Sequence, residues 1–393
     1  MELLSILERA GRLAKSGRKT VVVAKPGTGK TRLGIPSFAS PPAVVSVPYY
    51  TVMSELSQRL RSLGMPVFEV RGSHLLCPLG DYFPGRCMIC PVSPASSFDD
   101  ARGCRFKLQK QLLPQALKRS VVLKTHAYPL NPDVLKIIDE AHLYEYGRIS
   151  IITRQDREFK YAKMSNAELA DLLERLLRDA ARGKPVDPAT ASALTSLAGT
   201  VRHHAGDEVV VVERYPRFDY HIGFTATPPG FIKADEVIEL SDKLKARGVV
   251  VENVRTEAHF FVPQDFNRFL EFLKKRHPRL GLFATGRVAR EARGVETYLM
   301  WGKSATGQNL LHLDAAAVAS PWLPVSVYRV LPHAEEVTAA QVIQASMRVR
   351  PLQRPVVVYF VFNVEKSRRV KEALEYYFDL QYVIWDGERL RPA

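Results

Sequence analysis

The chain has 393 residues, enough for two or three domains with substantial buried cores. Its 46% hydrophobic and 25% charged residues include no run near the ~18 apolar residues of a membrane helix, and acidic residues interrupt its apolar N-terminus, so we expect a cytoplasmic protein without a membrane partner. The net charge of +15 favours a polyanionic partner such as nucleic acid, although a solvated basic surface would give the same charge.

A first α/β unit is predicted from apolar strand-like runs separated by helical patterns. An amphipathic helix at residues 3–15 precedes the first run, and a second helix is predicted at residues 51–63. Strands that alternate with helices indicate a parallel sheet covered on both faces. The predicted strands are residues 20–24, 43–47, 67–70, 121–124, 134–138 and 221–224.

A phosphate-binding loop follows the first predicted strand. The sequence A-K-P-G-T-G-K-T occupies residues 24–31, and Gly27, Thr28 and Gly29 form its turn. These glycines allow successive backbone N–H groups to face the phosphates, while Lys30 would contact the β- and γ-phosphates and Thr31 would ligate Mg²⁺. The strand–loop–helix context therefore predicts binding of ATP and Mg²⁺.

All four cysteines of the chain fall between this loop and the fifth predicted strand. Two disulfides are formally possible, but clustered cysteines in a non-secreted chain more often bind metal. Structural zinc sites commonly use two C-x2-C pairs, whereas only one such pair is present here, which favours a [4Fe–4S] cluster and leaves Zn²⁺ as the alternative. The four candidate ligands are Cys77, Cys87, Cys90 and Cys104.

The cysteine region is rich in basic and aromatic residues. Between residues 71 and 110, Arg86 and Arg105 are among several basic residues that alternate with aromatic ones. Basic side chains follow phosphates and aromatic rings stack on unpaired bases, so the region is a candidate contact for a nucleic-acid strand. A solvated basic face around a small metal core is the alternative for any single residue.

The sequence D-E-A-H begins at Asp139, directly after the apolar run of the fifth predicted strand. At the carboxyl edge of a parallel sheet, Asp139 can hold Mg²⁺ through water and Glu140 can polarise the attacking water. His142 is a candidate link from this site to bound nucleic acid, with a buried structural histidine as the alternative. Together with the phosphate loop, these carboxylates predict ATP hydrolysis.

A small helical insertion is predicted at residues 149–220. Ser165 and Glu168 form a capping box ahead of leucines at helical spacing. A second helix begins at Asp187 and Pro188 and ends near Gly199.

A second α/β unit begins after residues 228–230, P-P-G. Helices are predicted at residues 266–275 and 364–377. The predicted strands are residues 259–262, 281–284, 297–301, 315–318, 325–330 and 356–362.

These motifs and their order resemble the XPD/DinG family of iron–sulfur superfamily 2 DNA helicases. The position of the cysteines, between motifs Ia and II, is the most specific part of the resemblance. The matching stretches are residues 24–31 for motif I, 45–53 (V-S-V-P-Y-Y-T-V-M) for motif Ia, 139–142 for motif II, 223–228 (G-F-T-A-T-P) for motif III, 281–287 (G-L-F-A-T-G-R) for motif IV, 304–310 (S-A-T-G-Q-N-L) for motif V and 344–351 (Q-A-S-M-R-V-R-P) for motif VI.

The resemblance implies an α/β fold of two tandem RecA-like parallel-sheet domains, with a cysteine-rich insertion and a small helical arch-like insertion in the first. It implies a monomeric ATP-dependent helicase that moves 5′→3′ on single-stranded DNA, with the cluster at the duplex junction. The implied domain boundaries are 1–70 for the first part of helicase domain 1, 71–110 for the cysteine insertion, 111–148 for the continuation of domain 1, 149–220 for the arch-like insertion, 221–230 for the end of domain 1 and 231–393 for helicase domain 2.

Further site residues follow from the resemblance. Gly307 and Gln344 would contact the nucleotide from the second domain, and Thr225 and Thr227 would couple hydrolysis to motion. In motif VI, Met347 replaces the usual glycine, and one residue instead of two separates Arg348 from Arg350. Either arginine could therefore reach the γ-phosphate.

Two other functions remain open from the residues. One is a zinc-containing RNA helicase or duplex translocase. The other is a nucleic-acid-binding module with impaired ATPase, which the irregular motif VI favours and the intact Lys30, Thr31, Asp139 and Glu140 oppose.

Overall fold

The computed structural model describes residues 2–25, 29–76, 104–182, 184, 187–198, 200–227, 229–240, 245–256, 261–301, 310–329, 331 and 333–393. The chain divides into two compact units. We call Gly11–Lys19 with Thr31–Gly223 the first unit, and Met1–Ala10, Thr20–Lys30 and Phe224–Ala393 the second unit.

Strands and helices alternate over most of the chain. The strands are β1 Thr20–Val23, β2 Ala43–Val47, β3 Val67–Glu69, β4 Val121–Thr125, β5 Leu135–Asp139, β6 Arg148–Thr153, β7 Val201–Ala205, β8 Glu208–Glu213, β9 Ile222–Thr225, β10 Glu236–Glu239, β11 Ala246–Glu252, β12 Leu280–Ala284, β13 Glu296–Leu299, β14 Ala315–Ala319, β15 Val357–Val361, β16 Phe378–Trp385 and β17 Leu390–Pro392. The helices are α1 Glu2–Lys15, α2 Ile35–Phe38, α3 Tyr50–Ser62, α4 Ser73–Leu76, α5 Arg105–Arg119, α6 Ala141–Tyr146, α7 Phe159–Ala162, α8 Asn166–Ala181, α9 Pro188–Leu197, α10 Pro263–Arg276, α11 Gly286–Glu291, α12 Val325–Tyr328, α13 Ala334–Ser346 and α14 Arg368–Tyr377. None of the helices in the described part of the chain has the length and apolar character needed to cross a bilayer.

The first sheet has the order β10-β1-β9-β5-β2-β4-β3. Strand β2 runs parallel to both β4 and β5, β3 runs parallel to β4, and β1 runs parallel to β10. Every residue of β2 and β4 is buried, as expected for strands covered on both faces. The predicted parallel sheet of the first α/β unit is thus confirmed.

The second sheet has the order β13-β12-β14-β15-β11-β16-β17, and only the β16–β17 pair is antiparallel. On one of its faces, α10 packs into a core that includes Phe266, Phe269 and Leu282. The expected strand at residues 325–330 is wrong, because Val325–Tyr328 forms the short helix α12 directly after Pro324. Of the strand expected at residues 259–262, residues 259 and 260 lie outside the described residues, and residues 261 and 262 are not in a strand.

The insertion in the first unit contains a sheet that the helical prediction missed. Strands β6, β8 and β7 form an antiparallel sheet in that order, and α8 and α9 pack on it. The run E-V-V-V-V-E of β8 is rich in β-branched residues, which favour strands. The predicted small helical insertion therefore has its two longer helices but also contains a three-stranded sheet that was not expected.

The two helix starts predicted in the insertion are confirmed. The N–H of Ser165 donates to Glu168 Oε2 at 2.7 Å, and the N–H of Glu168 donates to Ser165 Oγ at 3.2 Å, which is a capping box. Asp187 accepts from the N–H of Thr190 at 2.9 Å, with Pro188 in the first turn of α9.

The insertion begins and ends at neighbouring points. Arg148 of β6 is paired with Glu213 of β8. Gly147, just before β6, has φ 78° and ψ 174°, a region open almost only to glycine. A Cβ atom on Gly147 would lie 2.5 Å from the carbonyl oxygen of Glu213, so this close approach also requires glycine.

Candidate active site

The phosphate loop leaves the end of β1 in the second unit. The N–H of Ala24 donates to the carbonyl oxygen of Thr225 at 2.9 Å, which pairs β1 with β9. Gly29 has φ 89°, a left-handed backbone that glycine adopts without strain. Gly27 and Thr28 lie outside the described residues.

A π-helical turn, Lys30–Gly34, follows the loop and leads into α2. Pro36 lacks an amide N–H and cannot donate to the carbonyl oxygen of Arg32, so a regular α-helical ladder cannot form here. A helix was expected directly after the loop, and its first turn is widened instead. Lys30 and Thr31 are half-buried.

Thr31 and Asp139 meet in the first unit. Thr31 Oγ1 donates to Asp139 Oδ2 at 2.9 Å. Asp139 is the last residue of β5 and is 2% exposed. A hydroxyl and a carboxylate side by side fit a hydrated Mg²⁺, which is bound through one or two protein oxygens and keeps several waters.

Glu140 follows with an unusual backbone. Its φ of 52° and ψ of 54° lie in the left-handed region, where a non-glycine residue is strained. Its side chain is 21% exposed, and its Oε2 lies 3.4 Å from Nδ1 of the buried His142. The partly exposed carboxylate is therefore oriented by a residue of the same D-E-A-H sequence.

A buried polar cluster at the ends of β2 and β4 was missed by the sequence reasoning. Ser46 Oγ and His126 Nδ1 lie 2.8 Å apart, and both residues are fully buried. Burial, together with the nearby charge of Lys124, lowers the pKa of His126 to about 3, so the ring is neutral at neutral pH. The only signal in the sequence was the polar pair Lys124 and His126 at the end of a buried strand run.

Lys124 is also fully buried. Its Nζ donates to the carbonyl oxygens of Tyr128 at 3.0 Å and Thr125 at 3.3 Å, and lies 4.3 Å from the ring centroid of Phe218. Burial lowers the pKa of Lys124 to about 7. Near pH 7, a large fraction of the molecules therefore carries a neutral Lys124 side chain.

Thr225 and Thr227 lie at the end of β9 in the second unit. Both are buried, and Thr225 Oγ1 accepts a hydrogen bond from the N–H of Thr227 at 3.1 Å. The hydroxyl thus fixes a tight turn in the T-A-T sequence.

Motif VI follows α13, also in the second unit. Met347–Val349 forms a 3₁₀ turn, and Arg350 has a left-handed φ of 55°. Arg348 Nη2 donates to Gln344 Oε1 at 3.3 Å, and the Arg348 carbonyl accepts from the N–H of Leu310 at 3.0 Å. Gly307 lies outside the described residues.

Only one of the four cysteines is described. Cys104 is 6% exposed and lies directly before the first residue of α5. Arg105, the first residue of α5, is exposed, and α5 contains no acidic residue.

The other predicted ligands, Cys77, Cys87 and Cys90, lie outside the described residues, as does Arg86. Among the residues that are described, no group of three or more His, Cys, Asp or Glu side chains is arranged to hold a metal ion.

Comparison with known proteins shows the fold. No family model and no curated protein matches the sequence. A structure named XPD helicase matches with a TM-score of 0.60 and 12% identity over 96% of this chain and 99% of its own. XPD in its apo form matches with a TM-score of 0.59 and 12% identity over 97% and 100%, and Xpd4 of S. tokodaii with 0.51 and 12% over 96% and 99%. The chain therefore has an XPD-like fold, with two RecA-like α/β domains built on largely parallel sheets.

Proposed function

We propose that this chain, with its XPD-like fold, is an ATP hydrolase that drives movement along nucleic acid and unwinds duplexes. The contact of Thr31 Oγ1 with Asp139 Oδ2 at 2.9 Å is the observation that carries this proposal. It brings the end of the phosphate loop and the start of D-E-A-H together, as binding of one Mg²⁺–nucleotide requires.

Each residue of this region has a proposed role in hydrolysis. The backbone of Gly27, Thr28 and Gly29 cradles the phosphates, and Lys30 neutralises charge on the β- and γ-phosphates. Thr31 and Asp139 hold Mg²⁺, which offsets the charge that develops on the transferred phosphoryl group. Glu140 polarises the attacking water.

The second RecA-like domain supplies the remaining groups. We assign Gly307, Gln344 and the motif VI arginines, Arg348 and Arg350, to contacts with the nucleotide. The 3.3 Å contact of Arg348 with Gln344 places these two motif VI side chains next to each other, which supports their joint assignment to the nucleotide. Thr225 and Thr227 couple hydrolysis to movement on nucleic acid.

The proposed substrate is single-stranded DNA that leads into a duplex junction. The protein would act as a cytoplasmic monomer and move along the strand in the 5′→3′ direction. The net charge of +15 and the exposed Arg105 on the basic helix α5 support a polyanionic partner. The motif order and the cysteine spacing support DNA over RNA only through the family resemblance. His142 and Arg86 are assigned to the nucleic-acid side of this reaction.

A [4Fe–4S] cluster bound by Cys77, Cys87, Cys90 and Cys104 completes the proposal. The number and spacing of the four cysteines in the sequence support it. Such a cluster would hold the cysteine region together structurally. Zn²⁺ remains the alternative occupant.

Steady-state ATPase assays with single-stranded DNA, single-stranded RNA and duplex DNA test the function. We expect single-stranded DNA to stimulate ATP hydrolysis. The Lys30→Ala variant should lose hydrolysis but keep the unfolding temperature of the wild type. Unwinding of a 5′-tailed but not a 3′-tailed duplex is expected. Turnover by Lys30→Ala would refute the site, and stimulation by RNA alone would favour the RNA helicase.

Metal analysis of anaerobically purified protein tests the cluster. We expect iron and inorganic sulfide in equal amounts in the wild-type chain, with loss of both in Cys104→Ser. One zinc ion per chain and no sulfide would show that the cysteines form a zinc site instead of an iron–sulfur cluster.

A further inference from the structure

Residues 214–221, which we call the return segment, lead from the insertion back to the first sheet. They join the end of β8 to the start of β9. The short helix α6 begins directly after Glu140 and faces this segment through two consecutive side chains, those of Tyr144 and Glu145.

The hydroxyl of Tyr144 holds the middle of the return segment. It donates to the carbonyl oxygen of Pro216 at 3.0 Å and accepts a hydrogen bond from the N–H of Phe218. One side-chain oxygen thus satisfies a backbone acceptor and a backbone donor that lie two residues apart. Without it, both groups would lose their partner in a half-buried position.

The ring of Tyr144 is packed among aromatic residues. It lies parallel to Tyr215, with centroids 6.4 Å apart and an angle of 8°. It meets His126 and Tyr220 edge-on at 6.1 Å and Phe218 edge-on at 6.5 Å. Because such a cluster is closely packed, α6 cannot shift without displacing the return segment.

Glu145 forms a second link from α6. Its Oε1 accepts from the hydroxyl of Tyr220 and from Lys19 Nζ, each at 2.7 Å. Lys19 Nζ also lies 4.4 Å from the centroid of the Tyr220 ring. The return segment is therefore attached to α6 near its middle and near its end.

We propose that Tyr144 is a positioning residue that transmits a change at Glu140 and His142 to the return segment and so to the three-stranded insertion. Tyr144 lies two residues after the buried His142, on a helix of only six residues that must move as one piece. The return segment starts where β8 ends, so its displacement acts directly on the sheet of the insertion. This inference rests on the proposed nucleotide site.

Hydrogen exchange of the full-length chain, followed by mass spectrometry, tests the hydrogen bonds. In Tyr144→Phe the ring stays and the hydroxyl is lost. We expect exchange in the return segment to accelerate about tenfold, as for the loss of one hydrogen bond in a locally opening segment. Unchanged exchange there would overturn the inference.

The transmission itself is tested with ADP and Mg²⁺ as the probe. In the wild-type chain, we expect the probe to change exchange across Glu208–Glu213 of β8 by at least about twofold. In Tyr144→Phe this change should disappear while the affinity for ADP stays within about twofold. The same change in both proteins would overturn the role of Tyr144.

Tyr161→Phe is the matched control. Its hydroxyl is also hydrogen-bonded, with Thr190 Oγ1 at 3.1 Å, but it lies inside the insertion and away from α6. The control should keep the effect of ADP on β8. If ADP binds the wild-type chain without affecting β8, the inference fails and the proposed function stands. If ADP does not bind at all, both fail.

Discussion

The side-chain amide of Gln109 pairs with both backbone groups of Arg71. The N–H of Arg71 donates to Gln109 Oε1 at 2.8 Å, and Gln109 Nε2 donates to the Arg71 carbonyl oxygen at 2.9 Å. Arg71 precedes the four cysteines in the chain and Gln109 follows them, so this pair joins the two described segments that flank the cysteine region. Gln109 is buried, which strengthens the demand for both bonds.

Replacing Gln109 with leucine should loosen the cysteine region. The variant leaves the part-buried N–H and carbonyl oxygen of Arg71 without this partner, at a cost of about 0.5–1.5 kcal/mol for each lost hydrogen bond. We expect a lower unfolding temperature and a lower metal content per chain after dialysis against a chelator. Gln115→Leu on the exposed side of α5 is the control and should keep its metal. Equal metal retention in the two variants would show that the bonds between Gln109 and Arg71 do not govern metal binding.

Substitutions of the two D-E-A-H carboxylates, Asp139 and Glu140, should have different effects on ATP hydrolysis. Glu140→Gln should retain ATP and lose hydrolysis by about 10²–10⁴-fold, the usual contribution of a general base. Asp139→Asn should instead raise the Mg²⁺ concentration needed for activity, because it weakens the ligand that contacts Thr31 at 2.9 Å. Initial rates across a Mg²⁺ titration measure both effects.

Asp156→Asn is the control for charge removal, since its carboxylate accepts from the N–H of Thr153 at 2.6 Å in an exposed turn of the insertion. It should leave the rate and the Mg²⁺ dependence unchanged. Identical Mg²⁺ profiles for Asp139→Asn and the wild type would contradict the metal assignment.

The buried Lys124 should make stability rise with pH. Its pKa is about 7 in the folded chain, whereas the pKa of an unfolded lysine is about 10.4. Between these values the unfolded chain holds a proton that the folded chain has released, so raising the pH favours folding. Below about pH 7 both states are protonated and the full cost of burial is present. This group contributes a slope of at most about 1.4 kcal/mol per pH unit.

Urea unfolding of the wild type and Lys124→Met at about pH 7 and about pH 9 measures this slope. The wild type should gain free energy of unfolding over this range relative to the variant. Lys118→Met, at an exposed position on α5, should follow the wild type. Parallel curves for the wild type and Lys124→Met would mean that Lys124 does not titrate in this range.

Gly147 should tolerate no side chain. In Gly147→Ala, the backbone at φ 78° is strained, and the new Cβ would lie 2.5 Å from the carbonyl oxygen of Glu213. In the matched variant Gly206→Ala, φ is 60° and no atom lies within 4 Å of the new Cβ. Left-handed strain costs roughly 1–2 kcal/mol, so Gly206→Ala should lose about this much and Gly147→Ala clearly more. Thermal unfolding compares the two, and equal losses would contradict the close approach.

The strands of the first sheet could be predicted because their sequence signals are local. Strand β1, Thr20–Val23, is an apolar run directly before the phosphate loop, and the apolar run of β5, Leu135–Asp139, ends at the start of D-E-A-H. Parallel strands that are buried on both faces produce such runs. The strand expected at residues 325–330 failed because a short apolar run fits either a strand or a helix turn.

The buried polar cluster could not be predicted. Ser46 and His126 are 80 residues apart in sequence, and their contact depends on the pairing of β2 with β4. The left-handed backbone of Glu140 likewise has no local signal, since a non-glycine residue adopts it only under tertiary constraint. The aromatic packing around Tyr144 arises from the path of the return segment, which sequence periodicity does not reveal.

The pairing of Arg148 with Glu213 makes the insertion a self-contained module with adjacent ends. Its entry and exit are already side by side, so the parent sheet does not need to stretch or bend to accommodate whatever lies between them. The entropic cost of a longer loop grows slowly, by about 0.6 kcal/mol for each doubling of its length. Evolution could therefore enlarge, shorten or exchange this module as a unit. A protein engineer could transplant it into a related chain at the corresponding insertion point.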